Sequence, residues 1–377
     1  MFGPYRAKAG GQIAYIGNKI RKPISNVRTY KIDASALEKR VEDLNTNPMW
    51  MHISKINHTI NFTTNKYFEE LGAYFTPLPL TTRMISSPGA VYGKYKLNYT
   101  TDTVPIKLKW FDLPKEAFLA ESSQIYLELA LLQPGIDHVF ANYNSFRKEP
   151  ADATHLSEFH HIEYEGHVQQ EKNLEIAWGL TKSVLMDILK NNQKSLEFFL
   201  DDEDFAKVKD LSKLTAVPKI TFEQALDYLY RATKDKTYTK FSMQNFGSWE
   251  EIKVTELVDG IVAICEMPLF EVPFYHAPLK KNGRDLADNA DIIWPGHREF
   301  IGSGHRVRNL AELEEKAIAF NLPRNDYVPY LQSRERPNYQ ETSGFGLGWE
   351  RLLQGLLKMP TIDSVTHFPR VHNTLRP

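Results

Sequence analysis

One cysteine, Cys265, is all the thiol chemistry that 377 residues contain, so an intrachain disulfide is excluded and with it a disulfide-stapled scaffold. No base pairs with that thiol in the sequence, and it reads as a small core filler. Long apolar runs are missing too. The most apolar segment, 261–275, is interrupted by Glu266, Pro268, Glu271 and Pro273, far short of the ~20 apolar residues of a spanning helix. The first twenty residues mix Arg6, Lys8 and Lys19 with glycines and lack the apolar stretch of a leader peptide. A cytoplasmic protein with no membrane partner is expected. Excess charge of either sign is also absent, since 46 Lys and Arg stand against 47 Asp and Glu for a net charge of -1. Any nucleic acid would have to be held by a local patch rather than by a global field. There is no internal repeat, no low-complexity tract, no P-loop, no His-Glu-x-x-His, no Cys-x-x-Cys and no Ser/His/Asp spacing.

What is present is an ordinary globular composition, 42% hydrophobic and 25% charged, which suffices for a sizeable core. Residues 1–35 are Gly-rich and basic and read as an arm. A helical pattern runs from Ser35 to Leu71, with Asp33 or Ser35 as N-cap and Gly72 as the stop. Strands are expected at 90–97, 105–110, 138–146 and 159–164, and helices at 174–191 and at 222–232 behind the N-cap Thr221. The acidic run 201–204 reads as a solvated helix start. The last third adds short strands at 262–264 and 292–294, a helix at 310–320 and a Gly-rich strand running into a helix at 344–357. Without a regular βαβ rhythm, this mixture favours a mainly antiparallel α+β domain.

Two segments carry chemistry. In the first, Phe146-Arg147-Lys148-Glu149 is followed by a short turn and then by the run His155 to Glu165. If both flanks are strands, period 2 puts Phe159, His161, Glu163 and Glu165 on one face, a stacking ring and carboxylates beside Arg147 and His155. That set suits a nucleotide, although an exposed polar hairpin reads the same way, and a metal site made of His161, Glu163 and Glu165 lacks a convincing ligand count. In the second, alternating glycines in Gly344-Phe345-Gly346-Leu347-Gly348 let a ligand approach a strand closely, and Arg351 follows in the first turn of the next helix. A packed β-bulge gives the same letters.

Together the two segments resemble motifs 2 and 3 of the class II aminoacyl-tRNA synthetases, in the aspartate/asparagine subgroup of archaeal and eukaryotic form. Residues 116–128, 220–225, Pro273-Phe274-Tyr275, 290–296 and 299–306 follow in that family's order. The resemblance implies an antiparallel sheet flanked by helices, an arm over 1–48, a catalytic domain over 49–377 and a homodimer. It implies ATP and Mg²⁺ as cofactors and an aminoacyl adenylate as the product of the first step. By the same resemblance Arg147 holds the α-phosphate, Phe159 stacks on adenine with Arg351 on its other face, and His155 and Arg351 meet the γ-phosphate. Glu149 and Gly348 belong to the ATP set, and Asp291 and Glu299 to the Mg²⁺ pair. Gln124 and Glu149 take the α-amino end of the amino acid, and Arg306 reads its side chain. Leu127 stands where aspartate enzymes carry Lys, which points to the asparagine branch.

Departures matter as much. Residues 1–48 are too few for the family's anticodon-binding barrel, and the motif 2 loop Pro150 to Thr154 carries Asp152 where tRNA-charging relatives carry basic residues. Motif 1 aligns poorly, with Thr81 at the family's proline position. The main expectation is therefore a free-standing ligase that passes an aspartyl- or asparaginyl-type acyl group to ammonia or another small amine, like archaeal asparagine-synthetase-related proteins. The alternative is a compact asparagine- or aspartate-tRNA ligase, with tRNA binding disfavoured, and the third reading is a non-catalytic amino-acid sensor or RNA-binding paralogue.

Overall fold

The computed structural model describes residues 15–16, 19–20, 32, 37–92, 104–149, 151–281 and 283–375. Most of the N-terminal arm, the proposed caps at Asp33 and Ser35, and most of the strand expected at 90–97 lie outside these residues. Residues 89–92 form a single helical turn instead. Among the described residues no helix is long and apolar enough to cross a membrane.

Among the described residues, eight strands make the large sheet. In chain order they are β1 (Tyr74–Phe75), β2 (His138–Phe146), β3 (Glu158–Gly166), β4 (Lys219–Thr221), β5 (Val262–Cys265), β6 (Asn289–Ile293), β7 (Glu299–His305) and β8 (Ser343–Gly348). Their spatial order is β1-β2-β3-β8-β7-β6-β5-β4. The edge pairs β1/β2 and β5/β4 are parallel, and every pair between them is antiparallel. The α+β class expected from the pattern is the class observed.

Helices α1 (Met49–Leu71) and α2 (Gln170–Asn191) cover one face of this sheet. The helical pattern expected over 35–71 is broken at Pro48. A proline disfavours helical dihedrals in the residue before it, and Asn47 is accordingly extended at φ -100°, ψ 112°. The expected stop holds, with Gly72 in the left-handed region at φ 78°. Alternation along each strand then sends every second side chain into the helix-covered core. Ile162 and Tyr164 of β3, Phe345 and Leu347 of β8, and Ala290 and Ile292 of β6 lie there. Their neighbours along the strands, Phe159, His161 and Glu163 on β3, Gly346 and Gly348 on β8, and Asp291 on β6, line the opposite face.

On β7 the alternation is reset. The register slips between Ile292 and Ile293, whose partners are Ile301 and Glu299. Phe300 and Ile301 consequently both enter the core, and Glu299 returns to the open face with Gly302, the re-aiming that a β-bulge performs beside functional sites. Three further helices belong to the same domain. They are α3 (Phe222–Thr233), which opens on the capping box formed by Thr221 and Gln224, α4 (Ser248–Leu257) and α5 (Trp349–Leu356). The acidic run starts a helix as expected, Asp201 capping Asp202–Lys213 through Asp204 N–H, but it is not solvated throughout, since Asp204 is buried and paired with Lys358 at 2.6 Å.

Candidate active site

Two adjoining cavities open on the uncovered face of the sheet, the larger of about 210 Å³ and the smaller of about 90 Å³. Arg147, His155, His161, Glu299, Gly346 and Arg351 line both, so a molecule seated across the join would meet two arginines. The smaller cavity adds Phe159, Glu149 and Gly348, with the Arg147 guanidinium 5.2 Å from the centre of the Phe159 ring. The cation over that ring is thus Arg147, while Arg351 shares the cavity and donates from Nη1 to the Glu299 carbonyl at 2.9 Å.

Asp291 and Glu299 converge over Gly302. A methyl group on Gly302 would lie 2.8 Å from Glu299 Oε1 and 3.6 Å from Asp291 Oδ1. Burial first, then the negative charge of Glu299, raises the Asp291 carboxyl well above its ordinary range. Two carboxylates pressed together with so little relief fit a hard divalent cation. Among the described residues no group of three or more His, Cys, Asp or Glu is placed to hold a metal ion, so the remaining oxygens would come from phosphate or water.

The larger cavity ends on a second set of charges. Arg306, buried, donates from Nε and Nη2 to Glu165 at 3.0 and 2.9 Å, and stacks 5.0 Å from the Tyr275 ring. Gln124 Nε2 also donates to Glu165 and to the Tyr164 carbonyl at 2.6 Å. A methyl on Gly344 would lie 1.9 Å from Glu165 Oε2 and 2.3 Å from Gln124 Nε2, so this glycine makes room for the protein's own side chains and not for a ligand. Glu163 is raised to about 7 by burial, which hydrogen bonds from Ser122, Tyr143 and Ser123 only partly offset.

A family model described as tRNA synthetases class II (D, K and N) matches residues 33–372 of the chain. The chain belongs to that family. The asparagine-tRNA ligase of Thermococcus kodakarensis is 27% identical over 382 aligned residues, covering 99% of this chain and 81% of that protein. Pyrococcus horikoshii asparaginyl-tRNA synthetase complexed with asparaginyl-adenylate superposes with a TM-score of 0.80 at 26% identity, over 92% of this chain and 74% of that one. Entamoeba histolytica asparaginyl-tRNA synthetase shares the fold, with a TM-score of 0.74 at 21% identity over 94% and 74% of the two chains. As a class II tRNA synthetase the protein is an ATP-dependent, AMP-forming ligase that works through an aminoacyl adenylate. These relatives fit the tRNA-ligase alternative better than transfer to a small amine.

One sequence expectation needs correction. Leu127 does not line either cavity. It is fully buried among Leu131, Val139, Ala141 and Tyr143, because its helix turns that position toward β2. Asp152, partly exposed, has partners within its own loop. Its carboxylate faces His155 Nδ1 at 2.9 Å and accepts from Thr154 N–H at 2.7 Å, while Ala151 and Ala153 beside it are buried. The structure also recruits residues that no motif flagged. Glu251 of α4 takes both Nε and Nη2 of Arg298 at 3.0 Å and the Glu299 N–H at 2.9 Å. Burial alone would raise Glu251, yet Arg298 draws it down to about 2. Arg298 adjoins Glu299 in sequence and could have been suspected on that ground. Glu251, 48 positions upstream of Glu299, carried no local signal.

Proposed function

We propose that this chain activates asparagine with ATP and transfers the asparaginyl group to tRNA. The observation that carries the choice of amino acid is the Arg306–Glu165 pair at the end of the larger cavity. Its guanidinium is paired with a carboxylate of the protein itself, and position 127 is apolar and out of reach. A side-chain carboxylate would bring a second negative charge to a cation already neutralised, whereas an amide brings none. The named relatives support the same branch.

In this reading the amino acid occupies the larger cavity near Gln124, and ATP lies across both, its adenine on Phe159 and beside Gly348 and Glu149. Arg147 meets the α-phosphate, where its planar fork stabilises the charge that builds up as the amino acid carboxylate attacks. Arg351 and His155 face the outer phosphates. Asp291 and Glu299 hold Mg²⁺, which when bound neutralises phosphate charge. A second copy of the chain belongs to the reading as well, supported by the exposed aromatic pair Tyr74 and Phe75 on the edge strand β1.

One observation favours a second reading for the acceptor, a small amine. The segment 151–154 is tied down, its Ala153 carbonyl accepting from Ile362 N–H at 2.8 Å and Gln354 Nε2 at 3.0 Å. Amino-acid-dependent ATP–pyrophosphate exchange tests the first half, with asparagine expected to exceed aspartate. AMP release with tRNA, ammonia or hydroxylamine added tests the second. Stimulation by tRNA supports the ligase, and stimulation by ammonia alone would replace tRNA with the small acceptor. No exchange with either amino acid would refute the reading.

A further inference from the structure

Arg298 has no role in the assignments above, yet it lines the larger cavity with Arg147, Arg351, Asp291 and Glu299. It is only 6% exposed, and a buried guanidinium needs acceptors fixed around its fork. Glu251 supplies two, at 3.0 Å each. His155 Nε2 faces Nη1 as a third. His155 can accept there only as the tautomer protonated on Nδ1, and Nδ1 faces Asp152. Contacts therefore run from Asp152 through His155 and Arg298 to Glu251, and close on the backbone N–H of the metal-site residue Glu299.

A partner for Glu251 is all that a structural role would require. That role leaves unexplained why the guanidinium stands on the cavity wall, where its charge helps to lower the proton affinity of Arg351, after burial. The segment 151–154 (Ala-Asp-Ala-Thr) contributes no cation to this end of the site. Three arginines beside a carboxylate pair suited to Mg²⁺ form a surface for a polyanion that carries its own divalent cation.

We propose that Arg298 is a third arginine of the triphosphate site, contacting the outer phosphates of ATP and the departing pyrophosphate, with Glu251 as the positioning residue that aims it. A phosphate oxygen competes with His155 Nε2 for Nη1 and carries the greater charge. The proposal rests on the reading of ATP as the nucleotide.

Calorimetric titration of the full chain with ATP, pyrophosphate and AMP, each with Mg²⁺, separates the outer phosphates from the rest, since AMP carries only adenosine and the α-phosphate. Arg298→Lys keeps a charge opposite Glu251, and the double variant Arg298→Gln/Glu251→Gln keeps a neutral hydrogen-bonding pair. In both, the Kd for ATP and for pyrophosphate is expected to rise roughly 10–100-fold, with AMP changing less than about threefold. Parallel losses for ATP and AMP would reduce Arg298 to a structural partner of Glu251, and unchanged affinity for all three would remove it from the site. A wild-type chain that binds ATP without amino-acid-dependent exchange would sink the adenylation reading and leave this one standing. Failure of the wild-type chain to bind ATP at all would overturn both.

Discussion

Replacing Asp291 with Asn should stabilise the protein and disable it together. The two carboxylates of the proposed metal pair both lie close to the Cβ position of Gly302, at 2.8 and 3.6 Å, so their oxygens are no more than about 6.5 Å apart. At an effective dielectric near 20 their repulsion is about 2–3 kcal/mol. Arg351 offsets part of it for Asp291, leaving roughly 1–2 kcal/mol for the neutral amide to recover at neutral pH. In a chain of this length that corresponds to a rise in melting temperature of about 1–3 °C without nucleotide. The same change removes half of the anionic ligand set, so Mg²⁺-dependent adenylate formation should fall by at least ~100-fold. Thermal melts with and without Mg²⁺ and ATP, run beside pyrophosphate exchange, give both numbers. The wild type should gain stability from Mg²⁺ and ATP, and Asp291→Asn should gain little. A variant that melts lower than wild type while retaining its response to Mg²⁺ and ATP would refute the reasoning, because the carboxylates would then be neither repelling each other nor holding the ion.

Arg147→Ala should abolish pyrophosphate exchange, by at least ~100-fold, while circular dichroism stays that of the wild type, since the guanidinium lines both cavities; retention of exchange would displace it from the α-phosphate. Glu165→Gln releases the charge of Arg306 toward the cavity, so the ratio of exchange with asparagine to exchange with aspartate should drop about tenfold or more, and an unchanged ratio would detach this pair from selection of the substrate. Leu127→Ala should cost about 2–4 kcal/mol in urea unfolding and leave that ratio alone, as befits a core residue. Glu121 provides the pH test: burial raises its carboxyl to about 8, against the pull of Arg147, so the folded state keeps a proton that the unfolded chain loses above its ordinary carboxylate pKa. Its contribution to stability is full below about pH 4.5 and is lost as pH rises toward 8. Urea unfolding at pH 5, 6.5 and 8 should therefore show Glu121→Gln gaining on the wild type by a few kcal/mol across that range, and parallel curves would rule out the buried titration.

Much of the fold was legible because its signals are local. The strand at 138–146 coincides with the alternating pattern that predicted it, and Thr221 caps its helix by the box that its sequence spells. The chemistry-bearing face of β3 followed from period 2, since Phe159, His161 and Glu163 do line the cavities. What misled was reasoning that treated a position as a direction. Leu127 sits in a pocket-lining stretch, but helical periodicity rotates it into the apolar cluster behind. Asp152 is negative in the sequence, and the structure ties its carboxylate to His155, where burial would raise the carboxyl and the histidine contact draws it below its ordinary value instead.

The sequence by itself determined the order of elements, the identity of the cavity-lining strands and the family to which the chain belongs, because periodicity, caps and motif spacing are properties of neighbours along the chain. Only the tertiary structure decided which charges meet. Arg306 finds Glu165 at a separation of 141 residues, and Arg298 finds Glu251 at 47 and His155 at 143. A slip of one residue on β7 decides that Glu299 faces Asp291 at all. Coulombic and hydrogen-bond energies depend on distances through space that no local pattern encodes, so the polarity of each pocket was settled by the folding of distant segments against one sheet.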